Sequence, residues 1–80
     1  MEPHIELIPV TSSQIHAIGH LYNTLVIQFN DSNGNAGSIY HYDNFTKEDF
    51  VEMKSSESVG SYFYRSIKNE PKKYPYRRIS

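Results

Sequence analysis

"VTSSQIHAIGHLYNTLVIQF", residues 10–29, is rich in β-branched and aromatic residues and has no clear helical period. Leu25, Ile27 and Phe29 alternate with Val26 and Gln28, the two-residue repeat of a strand with one buried face. Ile15 to Gly19 reads as its partner strand. Leu21–Thr24 reads as the turn between them, since Asn23 adopts turn geometry readily. Downstream, NDSNGNAG (30–37) is composed of turn formers and a single alanine and is expected to be a flexible loop. In SIYHY (38–42), Tyr40 and Tyr42 alternate with Ile39 and His41, which predicts a third strand.

The chain changes character at NFTKEDFVEMKSS (44–56). Thr46 followed by Asp49 has the spacing of a capping box, in which the hydroxyl meets an orphan N–H and the carboxylate reaches back. Phe45 and Phe50 flank that cap as a hydrophobic staple, and Phe50 and Met53 are expected to face the sheet. Glu48 and Asp49 at the start and Lys54 near the end suit the helix dipole. A second short helix is predicted after Ser58, with Val59, Phe63 and Ile67 as its buried stripe. Gly60 in its first turn is unfavourable for a helix and predicts a close contact there. Pro71 limits the helix, because the residue before a proline avoids helical angles. KYPYRRI (73–79) is then extended and suits a sheet edge, since Pro75 cannot sit in a central ladder. The predicted fold is an α+β domain: a small antiparallel sheet of three to four strands packed with two short helices.

Eighty residues make a single domain, 1–80, near the lower limit for an adequate core. Residues 1–9 are expected to be an N-terminal extension and residues 70–80 a basic, tyrosine-rich C-terminal segment. There is no cysteine, which excludes disulfides, thiol nucleophiles and cysteine-based zinc sites. The start, MEPHIELIPV, carries Glu2, Pro3 and Glu6 with no long apolar run, so neither a signal peptide nor a membrane span is expected. The protein is expected in the cytoplasm.

The formal net charge of −1 conceals two opposite halves. Six of the eight Lys and Arg (Arg65, Lys68, Lys72, Lys73, Arg77 and Arg78) fall in the last sixteen residues, against Glu70 alone. Residues 1–64 carry only Lys47 and Lys54 against eight acidic residues. Four of the seven tyrosines lie among or just before the basic residues. Lys and Arg that neutralise phosphates, interleaved with rings that stack on bases, are the pairing used for single-stranded nucleic acid or nucleotides. The competing reading is that the cations solvate a helix end and a terminal strand while the tyrosines fill a core short of aliphatics.

In order along the chain, VTSSQIHAIG, LVIQF, YHY and SVGSYFYRSIK…YPYRRI resemble the KTSC domain family. The matching positions run from Ser12, Ser13, Ile15, Ile18 and Gly19 through Leu25, Phe29, Tyr40 and Tyr42. They continue at Ser58, Gly60, Tyr62, Phe63, Ile67, Lys68 and Tyr74. The chain departs from the family pattern at His20, where tyrosine is usual, and at Tyr64, where asparagine is usual. The resemblance implies a small α+β fold, found at the C-terminal end of certain lysyl-tRNA synthetases and as short stand-alone proteins, many of them phage-encoded. For a phage-encoded protein the setting is the host cytoplasm.

The candidate ligand-binding residues are therefore Ser58, Gly60, Ser61, Tyr62, Arg65, Lys68, Tyr74, Tyr76, Arg77 and Arg78. Ser58 is expected first of all to cap its helix. His16 and His20 do not make a zinc pair: four residues apart on a strand they stand roughly 13 Å from each other. No catalytic motif is present, so no catalytic residue, metal or cofactor is expected, and the predicted role is a non-enzymatic binding module for nucleic acid or a nucleotide. The alternative is a phage-encoded anti-defence protein that inhibits a host immune system, by binding a host protein or by sequestering a nucleotide signal. In the first case the acidic half would mimic nucleic acid. A third expectation is a homo-oligomer formed through the edge of the terminal strand.

Overall fold

A short extended segment near the start of the chain, added to the expected C-terminal edge strand, turns the predicted three- to four-stranded sheet into a five-stranded one. The computed structural model describes residues 5–80. Its strands are β1 (Ile8–Pro9), β2 (Ile15–Leu21), β3 (Thr24–Asn30), β4 (Ala36–Tyr42) and β5 (Tyr76–Arg78). They pair antiparallel in chain order, so each new strand is laid beside the last. The unexpected member is β1, in which Ile8 and Pro9 lie opposite Ile18 and Ala17. It belongs to the segment read as an N-terminal extension, of which residues 1–4 lie outside the described residues.

The β2–β3 hairpin closes through Tyr22 and Asn23, both with positive φ (50° and 58°), the geometry that matches strand twist in a two-residue turn. The loop expected over 30–37 is shorter: Asn30 ends β3, and Ala36 and Gly37 open β4. Asp31 holds the remaining turn, its Oδ1 accepting the N–H groups of Asn33 (2.8 Å) and Asn35 (2.9 Å).

Strict alternation along β2 would place Ile15 and Ile18 on opposite faces. A bulge between Ile15 and Ala17 shifts the register by one residue, so both reach the core. Leu25, Ile27 and Phe29 of β3 share that face with Tyr40 and Tyr42 of β4, because residues opposite each other in a ladder point the same way. The other face carries Ala17, Gly19 and Val26. Residues 5–7 run across it so closely that a methyl group on Gly19 would lie 2.5 Å from the Glu6 carbonyl oxygen.

Two helical segments cover the core face. Helix α1 (Lys47–Ser55) starts at the expected capping box: Thr46 Oγ1 accepts the Asp49 N–H (3.1 Å), and Asp49 Oδ2 accepts the Thr46 N–H (3.2 Å). Phe50 and Met53 are its buried residues. Helix α2 (Val59–Phe63) starts at Ser58 and runs straight into a π-helical turn, Tyr64–Lys68, ending before Pro71. Val59, Phe63 and Ile67 are buried as expected, and Tyr62 joins them. The close contact expected at Gly60 is with Ser12, whose Oγ would lie 3.0 Å from an added methyl. Among the described residues no helix is long and apolar enough to cross a membrane.

Candidate ligand-binding cleft

The helix-facing side of β4 and β5 is not fully covered. Opposite Tyr40 and Tyr42 in the ladder stand Arg78 and Tyr76. Residues Tyr64–Lys68 and Pro71 flank this surface and leave an open cleft of about 700 Å³. Its floor is aromatic. Tyr40 lies 5.6 Å from Phe29 and 6.1 Å from Tyr76, and Tyr42 lies 5.7 Å from Tyr76 and 5.6 Å from Phe63, measured between ring centroids. Tyr76 is 59% exposed and Tyr64 39% exposed, so both present ring surface to solvent. The end near the β3–β4 turn is polar, formed by Ser13, Gln14, Asn30, Asp31 and Ser38. Here Asn30 ties the preceding loop to the sheet, donating to the Ser12 carbonyl (3.1 Å) and bonding His16 Nδ1 (3.2 Å).

Lys68 supplies the positive charge. Its Nζ sits 4.3 Å from the centre of the Tyr64 ring. The two residues are four apart in the π-helical turn, and such turns recur at functional sites. Lys68, helped by Gln14, holds the Tyr64 phenol below the usual tyrosine range. Burial acts the other way on Tyr42, raising its phenol, with Tyr40 and Tyr76 adding to the rise.

The sequence-derived candidates separate into four groups. Lys68 and Tyr76 meet in the cleft, and Arg78 shares its side of the sheet. Ser58, Gly60, Ser61 and Arg65 line an adjoining depression of about 320 Å³. Ser58 is engaged as the expected cap, its Oγ accepting the Ser61 N–H (3.2 Å). Tyr62 and Tyr74 are core residues, 9% and 5% exposed, and Tyr74 packs edge-on against Phe45. Arg77 points to the opposite face and pairs with Asp43 (3.1 Å). The basic C-terminal segment is thus not one patch, and its buried tyrosines follow the core-filling reading.

Residues that sequence reasoning left out of the site are Tyr40 and, at the turn end, Gln14 and Asn30, whereas Tyr64 is one of the four tyrosines read there as stacking rings. Tyr40 carried a usable signal: its alternation with Tyr42 places both rings on one face of a strand beside the basic segment. Gln14 and Asn30 carried none, because a loop and a strand end reach the cleft only through the bulged pairing of β2 and β3. His20 is engaged elsewhere: it donates from Nε2 to the Phe45 carbonyl (2.6 Å) and stacks on Phe50.

Known proteins point the same way as the fold. A crystal structure of a KTSC domain protein from Yersinia pestis is similar, with a TM-score of 0.77 and 30% identity over 96% of this chain and 100% of that one. No curated protein matches the chain. Residues 11–74 match the family model of the KTSC domain, a span that contains every residue of the cleft except Tyr76. With most of its length inside that match, the chain belongs to the KTSC domain family.

Proposed function

We propose that this protein is a binding module, not an enzyme, whose ligand is a nucleotide or the exposed base and phosphate of single-stranded nucleic acid. The observation that carries this reading is the combination of Tyr40, Tyr64 and Tyr76 around one open cleft with Lys68 fixed over Tyr64. Solvent-facing rings offer stacking surface to any base, worth about 1–3 kcal/mol each, while one ammonium beside them meets the phosphate. The amide and hydroxyl groups at the turn end supply hydrogen bonds to a base edge. The cleft volume of about 700 Å³ lies within the range of small-molecule sites, about 300–1,000 Å³.

The test is binding of nucleoside monophosphates and short oligonucleotides by titration calorimetry at two salt concentrations. Tyr76→Ala and Lys68→Ala are each expected to weaken binding about tenfold or more, the loss of one stacking or one charged contact. Arg77→Glu is expected to leave it unchanged, because Arg77 faces away from the cleft. Binding insensitive to Tyr76 and Lys68 but abolished by Arg77→Glu would place the ligand elsewhere and sink the proposal.

A further inference from the structure

The cleft continues past Tyr64. The adjoining depression shares Ser13, Gln14 and Tyr64 with it and adds Ser12, Ser58 and Arg65. We infer that the two hollows form one groove for two consecutive nucleotides of a single strand, with one phosphate at Lys68 and the next at Arg65. This rests on the nucleotide-binding reading and extends it from a mononucleotide to a dinucleotide unit.

The two cations come from one π-helical turn, Tyr64–Lys68, and Tyr64 lines both hollows. Lys68 lines the cleft and Arg65 the adjoining depression, so each hollow has one cation for one phosphate. Each cation is also positioned before any ligand arrives. Lys68 rests on the Tyr64 ring, and Arg65 Nε donates to the Ser61 carbonyl (3.3 Å), using one donor of a guanidinium that carries several.

The depression has further anion chemistry. Ser12 Oγ accepts the N–H groups of Gln14 (3.2 Å) and Ile15 (3.3 Å), and Ser58 Oγ accepts that of Ser61. A hydroxyl oxygen held as an acceptor keeps its own proton to donate, and an anionic oxygen is its best recipient. Gly60 lets the two serines share the hollow, since a side chain there would press on Ser12. Glu52 and Glu57 border the far side of Arg65 and oppose a lone anion. Binding at Arg65 therefore follows occupancy of the cleft and adds to it.

The experiment compares thymidine 5′-monophosphate with the 5′-phosphorylated thymidine dinucleotide, on wild type, Arg65→Ala, Lys68→Ala and Tyr76→Ala. For wild type the dinucleotide is expected to bind about tenfold tighter, the gain from one charge-assisted contact. Arg65→Ala is expected to remove that gain and leave the mononucleotide within about twofold, since only the second phosphate reaches it. The slope of log affinity against log salt for the dinucleotide is expected to move from about −1.4 to about −0.7, one phosphate contact fewer. Circular dichroism confirms that the Arg65 variant is folded. Equal binding of both ligands by wild type, or equal weakening of both by Arg65→Ala, overturns the two-nucleotide groove while the cleft stands. If the mononucleotide is not bound, or binds irrespective of Tyr76 and Lys68, the nucleotide reading falls and the groove with it.

Discussion

Tyr42 is 6% exposed and sits where burial and two tyrosine neighbours all disfavour its phenolate. Its folded-state value therefore lies above the usual one of about 10, the value it regains on unfolding. The linked stability is fully present below the unfolded value and is lost as pH rises toward the folded one. Urea titrations of wild type are thus expected to show a decline above pH ~10 that Tyr42→Phe flattens. An identical decline in both proteins would assign the effect to other groups. Gly19 is subject to a steric constraint, not an ionic one. A methyl group there would meet the Glu6 carbonyl oxygen at 2.5 Å and the side chains of Ile5 and Leu7 at 3.1 and 3.2 Å. Backbone cannot rotate away as a side chain can, so Gly19→Ala is expected to cost about 1–3 kcal/mol in urea unfolding. A neutral result would mean that residues 5–7 do not hold their place over the sheet. His20 shows how a local exception is absorbed: the carbonyl of buried Phe45 can only accept, so Nε2 must carry the proton.

Helix α1 is the element most clearly written in the chain, and its cap is the part that can be measured. Both halves of the Thr46–Asp49 box form, so Thr46→Ala is expected to cost about 1 kcal/mol. For a domain of this size that lowers the melting temperature by roughly 4–8 °C. A shift under a degree would mean the box is made in the structure but contributes nothing to stability. Strands β2, β3 and β4 were legible from alternation, and the short second helix from Ser58, its apolar stripe and Pro71. What escaped notice has physical reasons. Strand β1 is two residues long and contains Pro9, so it has no period to read and its pairing is dictated by β2. The β2 bulge reverses parity in mid-strand, which no alternation count anticipates. The π-helical turn leaves no mark on the apolar pattern, because Phe63 and Ile67, four apart, share one face in an ordinary α-helix too. Local sequence sees the apolar pair but not the extra width of the turn. Lys68 was therefore named as a cation without its seat on Tyr64 being visible.

The charge asymmetry along the chain does not survive folding as one basic surface, and that sets a limit on how a polyanion can be held. Arg65 and Lys68 line the groove, and Arg78 stands beside Tyr40 on the same side of the sheet. Arg77 is committed to Asp43 on the other face, in a pair so exposed that it adds at most about 1 kcal/mol to stability. Lys73 lies over Tyr74, which raises its pKa by hydrogen bonding, with Asp49 and Glu70 favouring its charge from nearby. Lys72 is exposed on the turn that leads to Tyr74. Only three of the six C-terminal cations can then face one strand at once. A single strand releases counterions with a log–log salt slope of about −0.7 per phosphate neutralised, so three contacts give about −2 and six would give about −4. Measured on a twelve-nucleotide oligothymidylate, the slope is expected near the smaller magnitude. It should be unchanged in a Lys73→Glu, Arg77→Glu double variant and collapse in an Arg65→Glu, Lys68→Glu one. A slope near −4 that the first variant lowers by about a third would mean that the strand wraps around the sheet edge to reach Arg77 and Lys73. The tyrosine cleft would then be one stop on a longer path and not the centre of the site.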